Sequence, residues 1–255
     1  MEQPAAEWQS LFDGRTTNGW TQCRGGGFPK RAWKVEDGCL RTIPGTYLQP
    51  DIATAETFDD FELELEWRIA PGGNSGVFYS LASEPRFLHE YFMASALLVS
   101  LPLVAMLSFK RRAVALLALA MLFGWGAYAA RRLVWAKASG FEMQVLDDDR
   151  HADGRDPATS AGALYSFYAP VGKQLMPVGE FNAARIVVRG AHVEHWLNGR
   201  KVVEFEIGST DFEQRLVRSP LRSIGGMGVK RATPIALQHH GDAVWYRNIR
   251  ARRLR

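Results

Sequence analysis

Alternation of apolar and polar residues runs through most of the chain. In FELELEWRI (61–69), Phe61, Leu63, Leu65, Trp67 and Ile69 fall on one side, and Glu62, Glu64, Glu66 and Arg68 on the other. That period of two predicts a half-buried antiparallel strand. AWKVEDGCLRT (32–42) reads as a hairpin turning at Glu36-Asp37-Gly38. HVEHWLNGRKVVEFEI (192–207) reads as two strands joined at Asn198-Gly199, a pair suited to the positive φ angles of a type I′ turn. ARIVVRG precedes that hairpin, and AVWYRNIRARRL closes the chain with another alternating strand. Many short strands separated by turn signals predict an all-β sandwich of two antiparallel sheets.

Two segments break this pattern. FMASALLVSLPLVAMLSF (92–109) and AVALLALAMLFGWGAYAA (113–130) contain no charge, and Lys110-Arg111-Arg112 separates them. As helices, each would span about 27 Å, close to the roughly 30 Å hydrocarbon core of a bilayer. They are apolar all round, not striped. The expectation is an inserted α-helical hairpin at about 88–136, with 92–130 as a membrane-spanning pair and the sandwich tethered at the bacterial envelope. A buried hairpin and a foreign insertion are the alternatives. No secretory signal is visible in the first residues.

The 255 residues suffice for one large β domain, and the net charge of +4 is small and scattered, which argues against a nucleic-acid partner. Cys23 and Cys39 have no metal-type spacing; they are either a disulfide or two small buried side chains. No Gly-rich strand-to-helix motif points to a nicotinamide or flavin.

Chemistry concentrates in GFEMQVLDDDRHADGRD (140–156). Alternation puts Glu142 and Gln144 on one face of a strand, and the strand ends in an acidic run around His151. Asp147 joins that face only through a bulge or turn. Asp147, Asp149, His151 and Asp153 are also oxygen and nitrogen donors of the type that hold a divalent cation, so a metal is an alternative use of this run. Asn74 in PGGNSG reads by composition as a turn residue, and His239-His240 stand where a strand turns.

With about 85–139 set aside, GVFYSLAS and GFEMQVLDD join as successive strands, and the chain resembles the 3-keto-disaccharide hydrolase domain family. The resemblance rests on EWQSLFDGRTTNGW (7–20), WKVEDGCL (33–40), FDDFELELEWRIAPGGNSGVFY (58–79), EMQVLDDDRHADGRDPATSAGALY (142–165), RIVVRGAHVEHWLNGRKVVEFE (185–206) and IALQHHGDAVWYRNIRARRL (235–254). It implies a single concanavalin A-like jelly-roll domain over 1–255, interrupted by the hairpin, and an oxidised 3-keto sugar or glycoside as substrate. A ketone at C3 acidifies the C2 proton, so one base can remove it, expel the C1 oxygen and leave an enone for water to attack. By residue type His151 is the expected base, with Glu142 as acid or alternative base. Asn74, Gln144, Asp147, Gln238 and His240 are the expected substrate-binding residues. A non-catalytic carbohydrate-binding sandwich and a conventional glycoside hydrolase are the competing functions. Gln144 speaks against the second, since that mechanism needs a carboxylate pair.

Overall fold

The structure is a computed structural model that describes residues 7–45, 49–83, 124, 126 and 137–254. Strands β1 (Gln9–Ser10), β3 (Trp33–Glu36), β4 (Cys39–Thr42), β6 (Phe61–Ile69), β9 (Asn182–Arg189), β10 (His192–Leu197), β11 (Arg200–Glu206) and β13 (Val244–Arg253) form one antiparallel sheet. Its order is β11-β10-β9-β6-β13-β4-β3, with β1 paired to β13. The second sheet has the order β2-β5-β12-β7-β8, from β2 (Trp20–Gln22), β5 (Ile52–Thr54), β7 (Asn74–Tyr79), β8 (Phe141–Leu146) and β12 (Ala236–Leu237). Helix α1 (Thr210–Arg218) is capped by Ser209 and turns Phe212 into the core.

The alternation in β6 sets the sandwich. Phe61, Leu63, Leu65, Trp67 and Ile69 are buried in the core between the sheets, each worth about 1.5–3 kcal/mol on burial. On the other face Glu62, Glu64 and Glu66 meet Arg252, Arg250 and Arg247 of β13 in register. Such cross-strand opposite charges add roughly 0.2–1 kcal/mol each. The Asn198-Gly199 turn has φ of 49° and 78°, and Asp37-Gly38 has 51° and 71°, the left-handed pairs that two-residue hairpins require.

Two polar side chains inside the core pair with each other. Tyr79 hydroxyl donates to His195 Nε2 at 2.8 Å, leaving His195 Nδ1 to donate to the Gly162 carbonyl at 3.2 Å. Burial lowers the His195 pKa from 6.5 to about 4. Cys23 and Cys39 are both free and buried, the hydrophobic alternative of the two. Burial pushes the Cys23 thiol up to about 12.

β7 and β8 pair directly, Asn74 opposite Leu146 through Tyr79 opposite Phe141. The two chain ends of the intervening segment are held together: Ala82 N–H donates to Ser139 O at 2.7 Å, and Arg24 donates to the carbonyls of Ala82, Ser83 and Lys137. Lys137 is buried on Asp51 at 2.6 Å. The hairpin expected at 88–136 lies outside the described residues, Gly124 and Gly126 apart. Among the described residues no helix is long and apolar enough to cross a membrane. On that finding the membrane-spanning and envelope-tethered reading of 92–130 is corrected. An apolar run of this length fits a span, but apolar character on all sides also suits a protein interior.

Candidate active site

The candidate site lies on the face of the five-stranded sheet that points away from the eight-stranded one. Alternation along β7 sends Ser75, Val77 and Tyr79 into the core and leaves Asn74, Gly76 and Phe78 on the outer face. Opposite these stand Leu146, Gln144 and Glu142 of β8. On the other side of β7, Gln238 N–H donates to Gly76 O at 2.9 Å, which sets Gln238 beside Gly76 just beyond β12. Gln144, Gly76 and Gln238 thus form one transverse row.

Gly76 is where this row opens. A Cβ placed on it would stand 2.2 Å from Glu142 Oε1, so the Glu142 carboxylate lies directly over the glycine. Glu142 is 6% exposed, Gln144 1% and Gln238 8%, so all three are nearly enclosed. Gln144 Nε2 donates to Thr159 O at 3.1 Å, which fixes the direction of its amide. The amide oxygens of Gln144 and Gln238 are buried without a hydrogen-bond partner. Each such orphan acceptor costs about 1–3 kcal/mol, which a ligand hydroxyl would recover.

The loop after β8 brings up the imidazole. His151 caps a short 3-10 turn (Ala152–Arg155), its Nδ1 accepting the Asp153 N–H at 3.1 Å. Its Nε2 lies 3.5 Å from Asn74 Nδ2, and Asn74 Nδ2 lies 3.4 Å from Asp153 Oδ2. The His240 ring stands edge-on to His151 with centroids 6.0 Å apart. Asp242 accepts the Asn74 backbone N–H at 3.1 Å, tying the β13 approach to the start of β7. Of the two adjacent histidines, His239 is buried, with Nε2 on Ile43 O at 3.0 Å and Nδ1 accepting Gly241 N–H at 3.1 Å. Burial lowers its pKa. His240 is the one turned to the site.

Glu142, Gln144, Gln238, Asn74, His151 and His240 therefore come together, and Asp147 does not join them. Its carboxylate accepts the N–H groups of Gly72 at 2.7 Å and Asp149 at 3.3 Å, and an Arg150 N–H at 3.2 Å. Burial raises its pKa, but these donors outweigh that and hold the carboxyl below its usual range. Asp148 pairs with Lys173 at 2.6 Å and accepts the Ala161 N–H at 2.8 Å. The acidic run thus spends Asp147 and Asp148 on building its own turn. Sequence reasoning missed Gly76 and Asp242; Gly76 lies in the GNSG motif, but its contact with Glu142 comes from the neighbouring strand.

Among the described residues, His192, Glu194 and Glu204 are the one group of three such side chains close enough to share a cation. They sit on β10 and β11, where Lys201 already pairs with both glutamates. A cavity of about 940 Å³ lies on the outer face of the eight-stranded sheet between Trp8 and Trp196. Glu64 and Glu66 within it are paired to arginines of β13.

The family model for the 3-keto-alpha-glucoside-1,2-lyase-like domain matches residues 7–94 and 133–252. A 3-keto-disaccharide hydrolase of Bacteroides thetaiotaomicron is 28% identical over 95% of this chain and 77% of its own length. A crystal structure from Parabacteroides distasonis, assigned as a glycosyl hydrolase, superposes with a TM-score of 0.70 at 23% identity, covering 97% of this chain and 94% of the other. A second from the same organism gives 0.59 at 22% identity, covering 97% and 100%.

Proposed function

The chain belongs to the 3-keto-alpha-glucoside-1,2-lyase-like domain family, and from that premise we propose that it cleaves the glycosidic bond of 3-keto-glycosides by removing the C2 proton. Its class is that of a carbohydrate-active hydrolase. The finer reading is supported by one observation above the others: the Glu142 carboxylate lies enclosed over Gly76, beside two orphan amide oxygens and on the same face as the Asn74–His151 pair.

The substrate supplies most of the reactivity. A C3 ketone lets the pair left at C2 delocalise onto oxygen, so the protein has to provide one base, donors for that oxygen, and contacts that fix the ring. Glu142 is the base of the site, with the His151 imidazole on the same face. Gln144 and Gln238 offer acceptors for sugar hydroxyls, and His240 closes the side of the imidazole. The Bacteroides thetaiotaomicron relative carries the name 3-keto-disaccharide hydrolase, which agrees with a 3-keto sugar as substrate. A retaining or inverting glycosidase needs a second carboxylate across the scissile bond, and the strand position next to Glu142 on this face is Gln144. No nicotinamide or flavin enters, because the oxidation at C3 precedes this step.

The test is turnover of a chromogenic 3-keto-glucoside beside the same glucoside unoxidised, with wild type and Glu142→Gln, in the presence and absence of chelator. Cleavage confined to the keto substrate and lost in the variant is expected. Cleavage of the plain glucoside would return the conventional glycosidase. Cleavage of neither by folded protein would leave a binding module, and loss of rate with chelator would bring a divalent ion into the reaction.

A further inference from the structure

His151 is a base by residue type, but its surroundings fix which nitrogen holds the proton. Nδ1 accepts the Asp153 backbone N–H at 3.1 Å. A nitrogen that accepts a hydrogen bond carries no hydrogen, so the neutral ring is the Nε2–H tautomer. The lone pair is committed to the backbone, and the nitrogen that faces the site is a donor.

Asn74 presents a second donor at the same point. Its Nδ2 lies 3.4 Å from Asp153 Oδ2. Turning the amide over would set Oδ1 against that carboxylate, two acceptors face to face, so the amino group is the end that lies there. One of its two hydrogens goes to Asp153. The other is next to His151 Nε2–H, with the nitrogens 3.5 Å apart. Two donors facing each other at that separation do not satisfy one another. An oxygen about 2.9 Å from both would satisfy the two at once.

We propose that Asn74 Nδ2–H and His151 Nε2–H form a two-donor cradle for the C3 oxygen of a 3-keto-glycoside, and that Glu142, not His151, removes the C2 proton. This rests on the reading of the site as one for 3-keto sugars. Asn74 and Gly76 are alternate residues of one strand, which puts them about 7 Å apart along it. The carboxylate over Gly76 is therefore displaced from the donor pair along the strand, as the C2 hydrogen of a bound pyranose is from O3. The proton passes from C2 to the Glu142 carboxylate. The C2–H pair becomes the C2–C3 double bond, and the carbonyl pair moves onto O3 between the two donors. When the C3 carbonyl re-forms, the pair shifts into a C1–C2 double bond and the C1–O bond breaks. The leaving oxygen takes a proton from water, and Glu142 returns its own to solvent. Asp153 acts through both donors, setting the His151 tautomer with its N–H and the Asn74 amide with its carboxylate; it is a positioning residue.

The experiment separates proton removal from bond cleavage. 3-Keto-1,5-anhydroglucitol carries no aglycone at C1, and its exchange of C2–H for deuterium in D₂O is read by NMR. Wild type is expected to catalyse the exchange, and Glu142→Gln to lose it by at least about 10³-fold. Asn74→Ala and His151→Ala are each expected to slow it by about 10²–10³-fold, the effect of deleting one oxyanion donor. The deciding variant is His151→Gln, which keeps an N–H and abolishes any base: it should recover to within about tenfold of wild type. Thermal melts of each variant establish folding, and Glu142→Gln is isosteric. Exchange that survives in Glu142→Gln, with His151→Gln as slow as His151→Ala, overturns the assignment while leaving the reaction class intact. Wild type that neither exchanges C2–H nor cleaves any 3-keto-glycoside overturns the reading of the site itself.

Discussion

At residue 76 the backbone has no side chain, and the Glu142 carboxylate fills the space a methyl group would take. Gly76 does not have a positive φ, so alanine suits its conformation and the nearest conflict is with the Glu142 side chain. Gly76→Ala is therefore expected to keep the fold and move Glu142. A displacement near 1 Å at a reacting group costs about 10²-fold, and kcat on the keto substrate should fall by about that much with the melting temperature little changed. A rate within twofold of wild type would mean that Glu142 does not act from this position. This residue also marks how far the sequence could be read. Alternation alone sets Glu142 and Gln144 on one face, and the structure keeps them there. The space over Gly76 and the capture of Asp147 by Gly72 are contacts between different parts of the chain, carrying no local period. The roles of the acids in DDD were equally illegible, because a carboxylate that caps a turn and one that meets a sugar have the same residue type.

The elements were easier to read than the order in which they stand. The β6 alternation and the Asn-Gly turn each specify a strand or hairpin from adjacent residues, and both are present. That β6 lies between β9 and β13, or β12 between β5 and β7, depends on pairings across the whole chain. One long-range relation was partly legible because the sequence on either side of the apolar segment reads as two successive strands. β7 and β8 pair across it, and Arg24 and the Ala82–Ser139 hydrogen bond join its two ends. Among the described residues the sheet is thus continuous from β7 to β8. Replacing 84–136 by a linker of about six should keep the sandwich folded, and a roughly ninefold shorter loop lowers the closure entropy by about 2 kcal/mol. The expected result is a cooperative melt at or above the wild-type temperature. Loss of cooperative unfolding would show that the segment contributes to the core. Arg24→Ala in the shortened chain should then destabilise it, because one guanidinium reaches both ends.

For the molecule as a whole, the two sheets are joined by polar contacts that titrate. Tyr79 belongs to the five-stranded sheet and His195 to the eight-stranded one, and their hydrogen bond crosses the core. Burial lowers His195 from 6.5 to about 4. Between those values the unfolded chain binds a proton that the folded chain does not, so stability falls as the solution is acidified. The contribution is fully present above pH 6.5, declines through the interval, and is lost by about pH 4. A depression of this size corresponds to about 3 kcal/mol. His239 adds to the same limb, since burial lowers it as well. Urea unfolding of wild type at pH 7, 5.5 and 4 should show this decline, and His195→Gln should flatten most of it while losing stability at pH 7. Asp147 gives a second acid limb at lower pH: its carboxyl is held below its usual range, so its stabilisation persists until acid protonates the folded group. If the slope between pH 6.5 and 4 were unchanged in His195→Gln, the inter-sheet contact would not be the group that makes the sandwich acid-sensitive.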